Sequence, residues 1–334
     1  MKAYVLHGIS DLKYEEVGMP ELKSGWAIIK VKSCGICSSD IPRIYKNGTY
    51  HFPTIPGHEF SGIVTDVGNR ENKKLIGRSV GVFPLIPCFS CVHCSNKDYE
   101  ICSDYDYLGS RRDGGLAEYV AVPVWNLIDF EDGQDFDLYA MMEPLSVAYH
   151  ATQFGSGVKG KIVQIIGSGM IGSAAAMWAK NEGASEVSII GRRIDKKKDI
   201  IEELGEVHFY DKPVQADYVI ESVGTSETIE MAIDYTAPKG ELILLGNPNS
   251  DIVLAKNNYW KILRRELTVY GSWNSKYDGV YLSEWTYVKD QIVKKTINPT
   301  VMITHRFAQE EVEQGLKIMR DKTELYMKVM TKWN

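Results

Sequence analysis

No stretch of this chain reaches the roughly 20 consecutive apolar residues that a bilayer crossing requires. Glycines and polar residues interrupt even the longest apolar run, residues 162–179. The first twenty residues mix charges with short apolar runs and lack the unbroken core of a signal peptide. Long blocks of like charge are missing as well, and the net charge of −6 is mild, so neither a nucleic acid nor an acidic membrane is an expected partner. The densest basic stretch, Lys196-Lys197-Lys198, runs into Asp199 and reads as a solvated helix start. Internal repeats and low-complexity segments are absent. So is cysteine beyond the first third: the six are Cys34, Cys37, Cys88, Cys91, Cys94 and Cys102. These absences predict a cytoplasmic globular protein, and in reducing surroundings such clustering favours metal over disulfides.

What is there fits two domains. A length of 334 residues exceeds what one core comfortably serves. A hydrophobic share of 44% with 25% charged residues is ordinary for globular proteins. The first 120 residues carry β-branched runs, turn glycines and prolines, and residues 4–6, 26–31 and 62–67 read as strands of a small β domain. From Lys161 the texture changes. Apolar strands at 162–166, 186–190, 217–221, 241–245 and 267–270 alternate with helical stretches at 170–182 and 195–204. That alternation predicts a parallel sheet covered by helices on both faces, the α/β architecture.

Gly167-Ser168-Gly169-Met170-Ile171-Gly172 matches G-x-G-x-x-G directly after an apolar strand and at the opening of a helix. Gly167 allows the tight turn, Gly169 admits a pyrophosphate against the backbone, and Gly172 lets helix and strand approach. The helix N-terminus, at Met170 and Ile171, offers N–H groups and a positive dipole end to the phosphates. A site for NAD usually places an acidic residue at the end of the next strand. This chain has Gly191, then Arg192 and Arg193, so NADP is the expected dinucleotide, with NAD as the alternative.

Cys88-x2-Cys91-x2-Cys94-x7-Cys102 holds four thiols in one short loop, enough to close a tetrahedral shell around a structural zinc. An iron–sulfur cluster is the competing occupant, and four unliganded thiols the bland one. Three further stretches are weak singly: Gly35-Ile36-Cys37-Ser38-Ser39-Asp40, Gly57-His58-Glu59 and Glu143-Pro144-Leu145-Ser146.

In this order, around a four-cysteine loop and ahead of the glycine motif, they resemble the zinc-containing medium-chain dehydrogenase/reductase family over essentially the whole chain. The resemblance implies a GroES-like β-rich catalytic domain (1–145), a Rossmann domain (146–271) and a C-terminal return to the catalytic domain (272–334). It also implies two zinc ions per chain. The catalytic one would be bound by Cys37, His58 and Glu143, with Glu59 beside it as a further ligand and Asp40 orienting His58. Cys34 is a bystander. Three protein ligands leave a position for a substrate oxygen, and Ser39 would carry the hydroxyl proton away. Many family members continue that relay through a histidine where this chain has Pro42.

Residues 39–48, 109–119 and 261–273 are closest to the polyol-phosphate branch, galactitol-phosphate dehydrogenases among them. In that branch the substrate would be a polyol or ketose phosphate, held by Arg43, Lys46, Arg111 and Trp273. An NADPH enzyme would run as a reductase of a ketose phosphate such as ribulose 5-phosphate. The rivals are an NAD-dependent dehydrogenase of free polyols or threonine and a non-catalytic nucleotide-binding member. A homodimer or homotetramer is implied.

Overall fold

The computed structural model describes residues 1–130, 135–205, 207–209, 214–279 and 283–334. They form two compact units: residues 1–143, 276–289 and 302–334, and residues 144–275 with 290–301.

The first unit is built on the strand Trp26–Ile36, whose residues are nearly all buried. It pairs antiparallel with Glu59–Val67, Tyr119–Pro123 and Lys328–Lys332, so one ladder draws together distant parts of the chain. Ile303–Ala308, Ser79–Val82 and Leu127–Asp129 complete a seven-stranded sheet. Val31, Ile29, Phe60, Val80 and Leu116 pack beneath it. Register then decides where chemistry can sit. Gly35 faces Glu59 and Ile36 faces Val329, so Cys37, His58, Glu59 and Lys328 emerge at neighbouring strand ends. A side chain on Gly35 would collide with the Glu59 carboxylate, since a Cβ there would lie 2.3 Å from Oε2. Residues 276–289 join this unit through a cluster of Phe83, Trp125, Tyr277 and Trp285. The Tyr277 hydroxyl, inside that apolar cluster, donates to the Trp125 carbonyl at 2.8 Å.

The second unit contains the parallel sheet. Its strands are β1 (Ile162–Ile166), β2 (Glu186–Ile190), β3 (His208–Phe209), β4 (Ala216–Glu221), β5 (Thr236–Leu244) and β6 (Thr268–Gly271). The order is β3-β2-β1-β4-β5-β6, every pair parallel, with the reversal between β1 and β4 where doubly wound sheets bind ligands. Helix α1 (Met170–Asn181) follows β1 and is buried along eight of its residues, Gly172 to Ala179.

The expected helix over 195–204 is shorter. A 3₁₀ turn, Ile194–Lys196, precedes α2 (Lys198–Glu202), and Lys197 stands between them at φ −111°. The reason is that Lys197 is not solvated: its ammonium turns inward and donates to the Ser168 carbonyl at 2.7 Å. No helix among the described residues is long and apolar enough to cross a membrane.

Candidate metal and dinucleotide sites

The four-cysteine loop closes on itself. The Sγ atoms of Cys88 and Cys94 lie 3.9 Å apart, as do those of Cys91 and Cys102. All four ligand atoms fall within 4.8 Å of one another. Four sulfurs about 2.3 Å from one ion are separated by about 3.8 Å along a tetrahedron's edges, so the shell suits a single zinc. The spacing is far too wide for disulfides, and it leaves room for one atom rather than several irons. Backbone N–H groups of Cys94 and Ser103 pull the Cys91 thiol down to about 5, which favours the thiolate a metal needs.

At the strand ends of the same unit, the ligand atoms of Cys37, His58 and Glu59 converge within 4.8 Å. His58 and Glu59 are both buried. Cys37 is delivered by the end of Trp26–Ile36, and its N–H donates to Asp40 Oδ2 at 2.9 Å. Asp40 Oδ1 lies 3.5 Å from His58 Nδ1, too far for a well-formed hydrogen bond, and accepts from Arg43 Nη1 at 2.5 Å. Burial by itself would raise the Asp40 carboxyl; the His58 and Arg43 charges and the Cys37 N–H hold it at about 2. Burial would likewise lower His58, but the negative charges of Asp40 and Cys37 push it well above its ordinary value.

Glu143 stands beside this group rather than within it. It opens the helix Met142–Ala151, is buried, and its Oε1 accepts from the Tyr107 hydroxyl at 3.3 Å. Burial, with the Glu59 charge adding to it, raises its carboxyl to about 7 against the opposing pull of His58 and Lys328. Two buried carboxylates and a thiol, crowded against one imidazole, are the donor set of a divalent cation short of its charge. Glu59 meanwhile has a partner of its own: the Lys328 ammonium donates to Oε2 at 2.5 Å and is itself buried.

The remaining expected residues are placed as follows. Ser39 is half-buried at the head of the short helix Asp40–Pro42, and its hydroxyl caps no backbone N–H there. Lys46 is exposed. The Arg111 guanidinium lies between the rings of Tyr50 and Tyr105, 4.1 and 4.4 Å from their centroids, and donates to the Tyr105 carbonyl at 3.1 Å. Trp273 is exposed, just beyond β6 of the second unit. Cys34 is fully buried.

In the second unit, Gly167 adopts φ +115°, a region open to glycine, and a Cβ on Gly172 would strike the Gly167 carbonyl at 1.8 Å. A Cβ on Gly169 would meet nothing within 4 Å, so the space a pyrophosphate needs is open. No side chain caps α1, which leaves the N–H groups of Met170 and Ile171 for an anion. Gly191 packs closely on the glycine loop: a Cβ there would lie 2.5 Å from Ser168 Oγ. Arg192 and Arg193 are exposed beside it, and Arg193 is left-handed at φ +55°.

Three contributors escaped the sequence reading: Lys328, Tyr107 and Lys197. Lys328 did leave a trace, a lone cation in the apolar run Met327-Lys328-Val329-Met330, where burial demands a counter-charge. Tyr107 and Lys197 left none, because aromatic loops and lysine runs are common.

Residues 23–132 match the family model of the alcohol dehydrogenase GroES-like domain, and residues 171–290 that of the zinc-binding dehydrogenases. Galactitol 1-phosphate 5-dehydrogenase of Escherichia coli K12 is 32% identical over 95% of this chain and 96% of its own length. The crystal structure of galactitol-1-phosphate dehydrogenase from Escherichia coli superimposes with a TM-score of 0.90, covering 99% of this chain and 100% of that one at 31% identity. An L-threonine 3-dehydrogenase of Bacillus licheniformis is 30% identical over 96% of each chain. A zinc-binding dehydrogenase from Sinorhizobium meliloti, solved bound to NADP, gives a TM-score of 0.89 at 26% identity over 99% of this chain and 98% of that one.

Proposed function

The chain belongs to the zinc-binding alcohol dehydrogenase family, an oxidoreductase family with a GroES-like domain and a Rossmann domain, and on that premise we propose its particular reaction. It reduces a ketose phosphate with NADPH, or oxidises the corresponding polyol phosphate with NADP. The observation that carries the reading is the convergence of Cys37, His58 and Glu59, with the buried Glu143 alongside, where negative groups crowd a single imidazole.

Those four residues would hold the catalytic zinc, and Cys88, Cys91, Cys94 and Cys102 the structural one. When bound, the catalytic ion supplies Lewis-acid polarisation at the substrate oxygen, and NADP(H) accepts or supplies the hydride. The chain's own residues do the rest. Asp40 keeps His58 and the Cys37 backbone in place, Lys328 balances Glu59, and Ser39 takes the hydroxyl proton toward solvent. Gly167, Gly169, Met170, Ile171 and Gly172 cradle the pyrophosphate, and Gly191, Arg192 and Arg193 border the adenosine ribose. Lys197, tied to the same loop through Ser168, adds a third cation favouring a 2′-phosphate. Lys46 and Arg111 serve the substrate, Arg111 stiffened by its two tyrosines.

The protein acts in the cytoplasm as a homodimer or homotetramer. Strand β6 ends its sheet with no further strand beyond it among the described residues; Val269 on it is exposed, as are Tyr259, Trp260 and Leu263 on the preceding helix Lys256–Arg264.

A panel of ketose phosphates, free ketoses, polyols and threonine, each assayed with NADPH or NADP and with NADH or NAD, tests the reading. Highest kcat/KM for a phosphorylated substrate with the phosphorylated dinucleotide is expected. Good turnover of free polyols or threonine with NAD, and none of any phosphate ester, would overturn it.

A further inference from the structure

Arg43 lies three residues beyond Asp40, on the face of the helical turn that carries both side chains. The Asp40 side chain is only 1% exposed, and a carboxylate so buried stays ionised only if its charge is met. Three groups face it. The Cys37 N–H takes Oδ2 at 2.9 Å, the His58 imidazole stands off at 3.5 Å from Oδ1, and Arg43 makes the short, charge-assisted contact at 2.5 Å with that same Oδ1. His58 Nδ1 is left without a hydrogen-bond partner among the described residues.

From this sharing of one oxygen we propose that Arg43 is a positioning residue of the metal site and not a ligand for the substrate. The inference rests on the reading of Cys37 and His58 as metal ligands. By holding Oδ1, the guanidinium limits how far the carboxylate turns toward His58, and so how much electron density the imidazole receives. The carboxylate behind a metal-bound histidine fixes both its orientation and its basicity. Arg43 therefore acts on the metal through two intermediaries, while Lys46, exposed and three residues on, keeps its ammonium for a ligand.

The test is made on the zinc-loaded protein with Arg43→Met, Arg43→Gln and Arg43→Lys. The readouts are the rate at which a chelator removes the catalytic ion, the visible spectrum after cobalt replaces it, and kcat and KM with the best substrate of the panel. Arg43→Met is expected to speed metal loss by about tenfold or more, alter the cobalt spectrum and lower kcat with KM little changed. Arg43→Lys should recover most of this; Arg43→Gln should fall between. Retention of the four-cysteine zinc and of dinucleotide binding verifies the fold, and if Arg43→Met does not fold, the Gln and Lys variants carry the comparison.

A rise confined to KM for a phosphorylated substrate, with metal release and spectrum unchanged, would overturn the proposal and return Arg43 to the substrate. So would three variants indistinguishable from wild type. A wild-type protein that binds metal only at the four cysteines would instead overturn the metal reading on which it stands.

Discussion

The two candidate metal sites of the first unit differ in how their residues are brought together. Cys88, Cys91, Cys94 and Cys102 come from one short loop, and closing it costs little chain entropy. Cys37, the adjacent His58 and Glu59, and Glu143 come from three separate parts of the chain, and their neighbours Asp40, Arg43, Tyr107 and Lys328 extend the set almost to the C-terminus. The loop makes a closed shell of one ligand type. The scattered site mixes thiol, imidazole and carboxylates, buries more negative than positive charge, and is held by a second layer of charged partners. A closed site can be self-sufficient, whereas an open one must be supported by the fold around it.

The largest effects should separate the two sites. Cys37→Ser is expected to lower turnover by about three orders of magnitude, the several kcal/mol that a Lewis acid supplies, while one zinc and the fold remain. Cys91→Ser should do the reverse in kind: the catalytic metal is retained in folded molecules, but the midpoint of thermal unfolding falls and the loop becomes protease-sensitive. Metal analysis of both variants checks this, and loss of both ions from Cys37→Ser would break the comparison. Next in size is Lys328→Met, which leaves the Glu59 carboxylate buried without its ammonium. Removing one member of such a pair costs about 3–5 kcal/mol. Calorimetry with and without chelator should show the greater loss when no metal ion is present to share the Glu59 charge.

The smallest effect sharpens the contrast between buried and half-exposed ion pairs. Asp137 is buried but meets Lys332, Ser33 and Arg306, whose two cations are about half exposed. Burial would raise its carboxyl, but these partners hold it below the ordinary range. With the folded value depressed, its stabilisation is present above the unfolded value of about 3.9 and is lost as pH falls below it. Asp137→Asn should cost about 1 kcal/mol at neutral pH. Unfolding midpoints of variant and wild type should converge as pH falls below about 4.

The local features were the legible ones. The strand and helix around Gly167 were visible because three glycines and an apolar run act within a few residues of one another, and the cysteine loop for the same reason. The residues of the scattered site were recognisable only as a family pattern. Nothing about Glu59 in the sequence reveals that a lysine far along the chain meets it, because that pairing depends on strand register. The lysine run illustrates the converse: three like residues look solvated, yet Lys197 is drawn inward by a carbonyl of the glycine loop.

By itself the sequence determined the alternation of strands and helices, the glycine turn and the four-sulfur shell, since each follows from the spacing of neighbouring residues. Tertiary structure alone decided which charges meet. It set Glu59 against Lys328, divided the Asp40 carboxylate between Arg43 and His58, and seated Tyr107 on Glu143. Burial makes those choices matter: away from water an unmet charge is costly, so partners must be supplied by whatever elements the fold brings alongside.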